Sequence, residues 1–146
     1  MATLHPKRDS TPKFSKTRSI PYALYQKVKE ELNILVQNRI IEQFETSNWA
    51  FPIVVVPKLN GELRICADFR AGLSSQLDIE QYPIHTMEEL LLKLKDMNIF
   101  SKVDLSEAYF QLPLDEESRK VVVINTPFGL YRYNRFPFGV YSAPAI

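Results

Sequence analysis

Several residue types are too scarce in this sequence to support some common kinds of site. One cysteine, Cys66, and two histidines among 146 residues exclude an internal disulfide, a Cys-x-x-Cys metal site and a His-rich zinc site. The four glycines lie too far apart for a P-loop or a dinucleotide-binding fingerprint. The sequence has neither the roughly 18 consecutive apolar residues of a membrane span nor the apolar segment of a secretory signal. We therefore expect an intracellular protein, in the cytoplasm or nucleus, with no membrane partner.

What is present is typical of a globular domain with an uneven charge distribution. The chain is 45% hydrophobic and 24% charged, with a net charge of +1. Residues 1–20 nevertheless carry five basic side chains against the single acid Asp9. Two prolines in the same stretch favour an extended course, so we predict a flexible, solvated basic arm over residues 1–20. The alternative is that the arm touches phosphate groups.

The first half of the chain alternates helical and extended patterns. Pro21 suits a first helical turn, and apolar residues recur at spacings of three and four as far as Leu35, which predicts an amphipathic helix ending near Arg39. An extended stretch starts at residue 40. Two strand-like runs, 51–56 and 62–69, then flank Asn-Gly, the strongest short-range signal for a β-hairpin. Alternation in the second run places Arg64 on the face opposite the main apolar row.

The second half predicts a helix, a strand and another hairpin. After a loop at 71–84, Thr86 and Glu89 have the spacing of a capping box that opens a helix. Residues 99–105 are predicted as a strand that ends in a carboxylate, with a turn or short helix at 106–109. A second hairpin is predicted to pair 120–126 with 130–135. Residues 142–146 resemble the start of a helix, so we expect the chain to be part of a larger fold.

Asp104 is the first candidate for chemistry. It ends the predicted strand, where a rigid element would hold its carboxylate in place. Mg²⁺ prefers oxygen ligands, and carboxylates on neighbouring strands commonly build the two-metal sites of phosphoryl transfer. Taken alone, an aspartate at a strand end is more often a turn or cap residue. The surrounding motif therefore has to decide between the two interpretations.

The stretch FSKVDLSEAYFQLPLD at residues 100–115 resembles the first catalytic motif of reverse transcriptases, in particular those of gypsy-type LTR retrotransposons and retroviruses. The family's fingers hairpin is similar to WAFPIVVVPK at 49–58 and NGELRICADFR at 60–70. Its next block is similar to NTPFGLYRYNRFPFG at 125–139 and SAPA at 142–145. Upstream, PYAL and IIEQ are similar to its opening helix and turn, so the resemblance spans roughly residues 18–146 in the family's motif order.

The resemblance implies an α+β fold: the fingers and partial palm of a right-hand polymerase, with antiparallel hairpins, flanking helices and an end before the Tyr-x-Asp-Asp hairpin. The implied division is an arm at 1–20 and a reverse transcriptase domain at 21–146. Within that domain the implied parts are fingers at 21–79, palm at 80–111, fingers at 112–141 and the start of a palm helix at 142–146.

The resemblance also implies roles for individual residues. Asp104 and the backbone carbonyl of Leu105 match the positions that bind a catalytic metal ion, Mg²⁺. Tyr109 matches the aromatic residue beneath the sugar that excludes a 2′-hydroxyl group, which argues against an RNA-dependent RNA polymerase. The remaining nucleotide-binding positions are Lys58, Arg64, Glu107, Ala108, Phe138 and Gly139. Lys58 and Arg64 correspond to cations that hold the β- and γ-phosphates, Glu107 and Ala108 to backbone amides near the triphosphate, and Phe138 and Gly139 to contacts with the ribose and templating base pair.

Other polar residues have simpler interpretations. Asp68 and Arg70 fit either the template side of the hairpin or a structural ion pair. Cys66 is a strand filler and His85 is structural. The family has an asparagine shortly after the hairpin, whereas this chain carries Gly72 and no asparagine there. The loop that closes the site is therefore expected to differ from the family's.

The implied activity is RNA-directed DNA synthesis within a retroelement Pol polyprotein, with an RNA or DNA template–primer, dNTPs and the rest of the polyprotein as partners. The second catalytic motif, Tyr-x-Asp-Asp, does not occur in the 146 residues. We therefore expect this chain alone to be inactive. The alternative is a non-catalytic remnant that at most binds nucleic acid or a partner. An unpaired strand at Asp104 would also predict poor solubility.

Overall fold

The computed structural model describes residues 1–78 and 85–140. Within these ranges the strands form one five-stranded sheet in the order β1-β5-β4-β2-β3. Neighbouring strands are antiparallel except β2 and β4, which pair in parallel at Phe51↔Ile124 and Pro52↔Asn125. The regular elements are α1 Tyr22–Gln37, β1 Ile41–Phe44, β2 Phe51–Pro57, β3 Leu63–Ala67, α2 Met87–Leu94, α3 Glu116–Val121, β4 Val123–Thr126 and β5 Gly129–Tyr133. Short 3₁₀ helices are Phe69–Ala71, Ser74–Gln76 and Ala108–Gln111.

The first predicted helix is confirmed as α1, which begins directly after Pro21. Val28, Leu32 and Leu35 are buried, as the spacing of apolar residues predicted. They belong to the same core as the inner side chains of β3, so the apolar stripe holds α1 against this edge of the sheet.

The structure confirms both the position of the first hairpin and the face on which its side chains lie. β2 and β3 pair antiparallel around the Asn-Gly turn, with Val56 opposite Arg64. Leu63, Ile65 and Ala67 are buried whereas Arg64 is exposed. The period of two in a strand thus directs the guanidinium away from the core.

The second hairpin is confirmed only in part. β4 begins at Val123, so the expectation that Lys120 starts this strand is wrong: Lys120 lies in α3. Asp115 caps α3 by accepting a hydrogen bond from the backbone N–H of Ser118 at 2.8 Å, and two glutamates follow in the first turn. Capping by Asp115 and the interaction of the two glutamates with the helix dipole therefore outweigh the strand preference of Val121, the last residue of α3.

The centre of the core is aromatic. The ring of Phe69 lies edge-on to Phe51 and Tyr133, with centroid distances of 5.5 and 6.4 Å. All three side chains are fully buried. Because they come from β2, the 3₁₀ helix after β3, and β5, they connect the two hairpins across the sheet.

The N-terminal arm makes hydrogen bonds to this body, although most of its side chains are exposed, as a solvated arm requires. Ala2 donates a hydrogen bond to Pro113 O, and the N–H of Leu4 donates to the Ser118 hydroxyl. The side chains of Ala2 and Leu4 are buried. The predicted extended course is present, but backbone hydrogen bonds to distant segments fix it, which composition alone does not indicate.

Residues 85–108 differ from the rest, since every one of them is exposed. The capping box is confirmed, with Thr86 and Glu89 bonded reciprocally at the start of α2. The predicted strand at 99–105 is wrong, because the structure has no strand there and Ile99 and Val103 are 91% and 79% exposed. A strand needs hydrogen bonds from a neighbouring strand, and no described segment supplies them.

Two predicted features fall partly or wholly outside the described residues. The loop at 71–84 contains the 3₁₀ helix Ser74–Gln76, but residues 79–84 are outside the described ranges. The helix start predicted at 142–146 lies outside them as well. Among the helices that are described, none has the length and apolar character needed to span a membrane.

Candidate functional site

The first hairpin brings two predicted phosphate-binding cations to its tip. Its turn is closed by a hydrogen bond from Lys58 N to Glu62 O at 2.7 Å and another from Gly61 N to Lys58 O at 3.0 Å. Gly61 adopts a φ of +84°, which a glycine accepts without steric cost. Lys58 therefore lies at the end of β2, and Arg64 projects from β3 close to the same turn.

Four of the predicted residues line one small cavity of about 30 Å³. Its lining includes Lys58, Arg64, Glu107 and Phe138. A cavity of this size has room for little more than a water molecule. Four of the positions that the resemblance associates with a nucleotide thus lie around one cavity, which in this conformation is too small to hold a nucleotide.

Aromatic rings form one wall of this cavity. The guanidinium carbon of Arg64 is 5.5 Å from the centroid of the Phe138 ring. Tyr109 and Phe110 each meet Phe138 edge-on, with centroids 5.1 Å apart. Contacts of this kind hold the two predicted aromatic positions, Tyr109 and Phe138, side by side.

Gly139 allows the chain to pass close to the end of β3. It has a φ of +90°, and a Cβ atom at this position would lie 3.2 Å from the carbonyl oxygen of Ala67. Any larger residue would combine an unfavourable backbone conformation with this close contact. Glycine here therefore fixes the position of Phe138 against the hairpin.

Carboxylates and cations lie together around the cavity, with Glu31 and Glu107 beside Lys58 and Arg64 in its lining. Lys58 Nζ lies 3.2 Å from a carboxylate oxygen of Glu62. Burial raises the pKa of Glu31, the Lys58 ammonium lowers it, and the charges of Glu62 and Glu107 raise it further, with a net upward shift. The Glu62 carboxylate therefore partly offsets the charge of the Lys58 ammonium in this conformation.

The turn before Tyr109 carries an unusual backbone conformation. Glu107 is left-handed, with φ 47° and ψ 49°. Its carbonyl accepts a hydrogen bond from Phe110 N at 2.9 Å, and Ala108 begins the short 3₁₀ helix. A left-handed non-glycine residue costs roughly 1–2 kcal/mol. The fold therefore holds a strained residue at the position for which the resemblance implies backbone contact with a triphosphate.

Asp104 and Leu105 are not brought into the cavity lining. Both lie on the exposed segment before the 3₁₀ helix, and the Asp104 carboxylate has no hydrogen-bond or ion-pair partner among the described residues. Within residues 1–78 and 85–140, no three His, Cys, Asp or Glu side chains form a group that could hold a metal ion. The carboxylate and the Leu105 carbonyl suit a hard divalent cation in ligand type, but they are too few to form a two-metal site.

Two residues that line the cavity were not singled out from sequence. Glu31 lies in the helix α1 and Phe110 in the motif around Asp104, and neither of them was assigned a role from the sequence. The spacing held a signal for Glu31, because it lies three residues after Val28 and four before Leu35, on the edge of the apolar stripe. For Phe110 no comparable signal exists.

The remaining polar candidates have structural partners. Asp68 forms an ion pair with Arg18 of the arm and not with Arg70. His85 Nδ1 lies 3.2 Å from the Glu89 carboxylate at the start of α2. Burial raises the pKa of the Cys66 thiol, which suits the predicted role of strand filler.

Comparison with known proteins identifies the class. Residues 12–146 match the family described as "Reverse transcriptase (RNA-dependent DNA polymerase)", so the chain belongs to this family. It is 39% identical over 146 residues to the uncharacterized protein K02A2.6 of Caenorhabditis elegans, covering 99% of the chain and 11% of that protein. It is 27% identical over 143 residues to the retrovirus-related Pol polyprotein from transposon 412 of Drosophila melanogaster, covering 94% of the chain and 11% of the polyprotein. The chain thus spans about a tenth of the length of these relatives.

Solved structures agree on the fold. The foamy viral protease-reverse transcriptase in complex with double-stranded DNA superposes with a TM-score of 0.74 at 18% identity, covering 97% of this chain and 26% of that one. The same enzyme in complex with an RNA/DNA hybrid gives a TM-score of 0.74 at 17% identity, with 97% and 20% covered. The predicted α+β fingers and palm fold is therefore confirmed. Reverse transcriptases as a family use divalent metal ions.

Proposed function

We propose that this chain supplies the fingers and the first part of the palm of an RNA-directed DNA polymerase from a retroelement Pol polyprotein, acting inside the cell, in the cytoplasm or nucleus. The observation that carries the proposal is the convergence of Lys58, Arg64, Glu107 and Phe138 on one cavity. These residues come from the first hairpin, the turn before Tyr109 and the segment after β5, which are far apart in sequence. Their meeting beside Tyr109 is what a deoxynucleotide site with phosphate-binding cations requires.

In this proposal the hairpin cations bind the β- and γ-phosphates of an incoming dNTP. Lys58 and Arg64 favour negative charge that develops during nucleotidyl transfer. Backbone amides of Glu107 and Ala108 contact the triphosphate, and Tyr109 lies beneath the sugar, where its ring excludes a 2′-hydroxyl group. Phe138 and Gly139 border the ribose and the templating base pair. The cavity has to open for this.

Asp104 and the Leu105 carbonyl would hold a divalent ion, proposed to be Mg²⁺. The ion would supply charge neutralisation at the transferring phosphoryl group. Their oxygen atoms suit such an ion, whereas the described residues provide no cluster of three carboxylates. We therefore expect the isolated chain to lack primer-extension activity. A non-catalytic role in binding nucleic acid or another part of the polyprotein is the alternative, and the missing carboxylates favour it for the chain taken alone.

The test is binding of a fluorescent dATP analogue to the chain in the presence of a template–primer. Replacing Arg64 by Gln removes a charge-assisted contact worth about 1.5–3 kcal/mol, so we expect binding weaker by roughly tenfold or more. Arg8→Gln, which removes an exposed charge from the arm, is the matched control and should bind as the unaltered chain does. Equal affinity of the Arg64→Gln variant would contradict the proposal. Template-directed incorporation by the unaltered chain with Mg²⁺ would contradict the expected inactivity.

A further inference from the structure

The docked arm forms a basic surface together with the segment that follows β3. Residues 13–18 run beside residues 68–72, and a contact at each end holds the two segments together. At one end the Arg18 guanidinium pairs with the Asp68 carboxylate. At the other, a Cβ atom added to Gly72 would overlap Cδ of Lys13, so the absence of a side chain at 72 makes room for the lysine. This gives a physical reason for the glycine where the family pattern differs.

The middle of the arm is fixed by backbone hydrogen bonds. Ser15 N donates to Ala50 O at 2.8 Å, and Ala50 N donates to Lys13 O at 3.0 Å. The side-chain amide of Asn125 donates to Ser15 O at 3.0 Å. Residues 13–15 are therefore bonded to Ala50, directly before β2, and to Asn125 of β4, so a partner that binds them does not have to order the backbone first.

These two segments concentrate positive charge. They carry four basic residues against one acidic residue, a net charge of +3, in a chain whose total is +1. The acid, Asp68, is already paired with Arg18. We name this surface the basic strip; its members are Lys13, Lys16, Arg18 and Arg70. The side chains of Lys13, Lys16 and Arg70 are exposed, and that of Arg18 is 51% exposed.

We propose that the basic strip, through Lys13 and Lys16 of the docked arm, binds the phosphate backbone of the template–primer. The inference rests on the proposed function, because it names a contact of that function's nucleic-acid partner. Cations fixed on a surface neutralise phosphates and release condensed counterions, which gives affinity without reading the sequence. The cavity contains two carboxylates, Glu31 and Glu107, beside its two cations, whereas the one acid of the two strip segments, Asp68, is already paired with Arg18.

The test measures binding of a labelled template–primer by fluorescence anisotropy over a salt titration. The variant carries Lys13→Gln and Lys16→Gln together. Each lost phosphate contact should lower the steepness of log K against log salt by about 0.7–0.9, so the double variant should lose roughly 1.4–1.8. The matched control carries Lys29→Gln and Lys95→Gln, which remove the same charge from exposed positions on α1 and just after α2.

A loss of slope in the arm variant with an unchanged control supports the proposal. An unchanged slope in the arm variant overturns it, and so does an equal loss in both variants, because the arm lysines would then act only through net charge. In both of these cases the proposed function stands, since the unaltered chain still binds with a steep slope. If the unaltered chain shows no salt-dependent binding, both the strip and the nucleic-acid partner are overturned.

Discussion

The sheet with its docked elements and the segment 85–108 contrast strongly, although both carry many large apolar side chains. In the sheet region, residues such as Phe51 and Phe69 are fully buried between elements that come from distant parts of the chain. In the segment, Met87, Leu91 and Ile99 are all mostly exposed. This difference shows that residues close together in sequence are enough to form α2 through its capping box. A strand at Asp104, in contrast, requires hydrogen bonds from a neighbouring strand, and no described residue provides them.

The largest expected effect comes from truncating one large apolar side chain in each region. Phe69→Ala should lower the free energy of unfolding by about 3–5 kcal/mol, because it leaves a cavity between β2 and β5. Leu91→Ala in α2 should change it by less than about 0.5 kcal/mol, since Leu91 is 59% exposed. Urea denaturation followed by tryptophan fluorescence measures both, using Trp49 of the core. Similar losses in the two variants would mean that α2 is packed in solution.

Replacing the N-cap residues of α3 and α2 is expected to have an effect of intermediate size on the free energy of unfolding. Asp115→Ala at α3 should lower the free energy of global unfolding by about 1 kcal/mol, whereas Thr86→Ala at α2 should reduce only local helicity.

Burial raises the pKa of the Asp115 carboxyl, but hydrogen bonds from Thr3 and Ser118 outweigh this and lower the pKa below its usual range. Its stabilising contribution is therefore present above the usual aspartate pKa and is lost as the pH falls below it.

Urea titrations at neutral and acidic pH, with far-UV circular dichroism for helicity, measure this pair. The Asp115→Ala variant should lose part of the acid dependence of stability that the unaltered chain shows. A drop in global stability from Thr86→Ala of the same size as that from Asp115→Ala would break the comparison between the two regions.

The smallest expected effect at neutral pH concerns Tyr133, in the sheet region. Complete burial raises the pKa of its hydroxyl above the usual value of about 10. The neutral form is favoured in the fold, so stability is full below that usual value and falls as the pH rises beyond it. Tyr133→Phe should reduce this alkaline loss in urea titrations near pH 8 and about pH 11, a range that spans the usual tyrosine pKa. An identical alkaline loss in the variant would show that Tyr133 is not the group responsible.

The sequence predicted the facing and position of some candidate side chains, but not how they assemble. Arg64 was assigned to the correct face of β3 because a strand alternates with a period of two. Lys58 and Phe138 were named from motif resemblance, and the cavity contains both. Glu31 and Phe110 were missed, because their contacts depend on how α1 and the 3₁₀ helix approach the hairpin. The roles given to Asp104 and Leu105 remain predictions, since the described residues form no metal group around them.

The amino-acid sequence by itself determined the family, the order of its motifs, α1, the first hairpin and the capped start of α2. These features depend on residues that are close along the chain, where periodicity, turns and caps act. Only the tertiary structure decided that the arm docks beside Gly72, that Lys120 belongs to a helix, and that the segment around Asp104 has no strand partner within residues 1–78 and 85–140. The physical reason is that hydrogen bonds and side-chain packing between distant segments depend on which surfaces meet, and local pattern does not specify that.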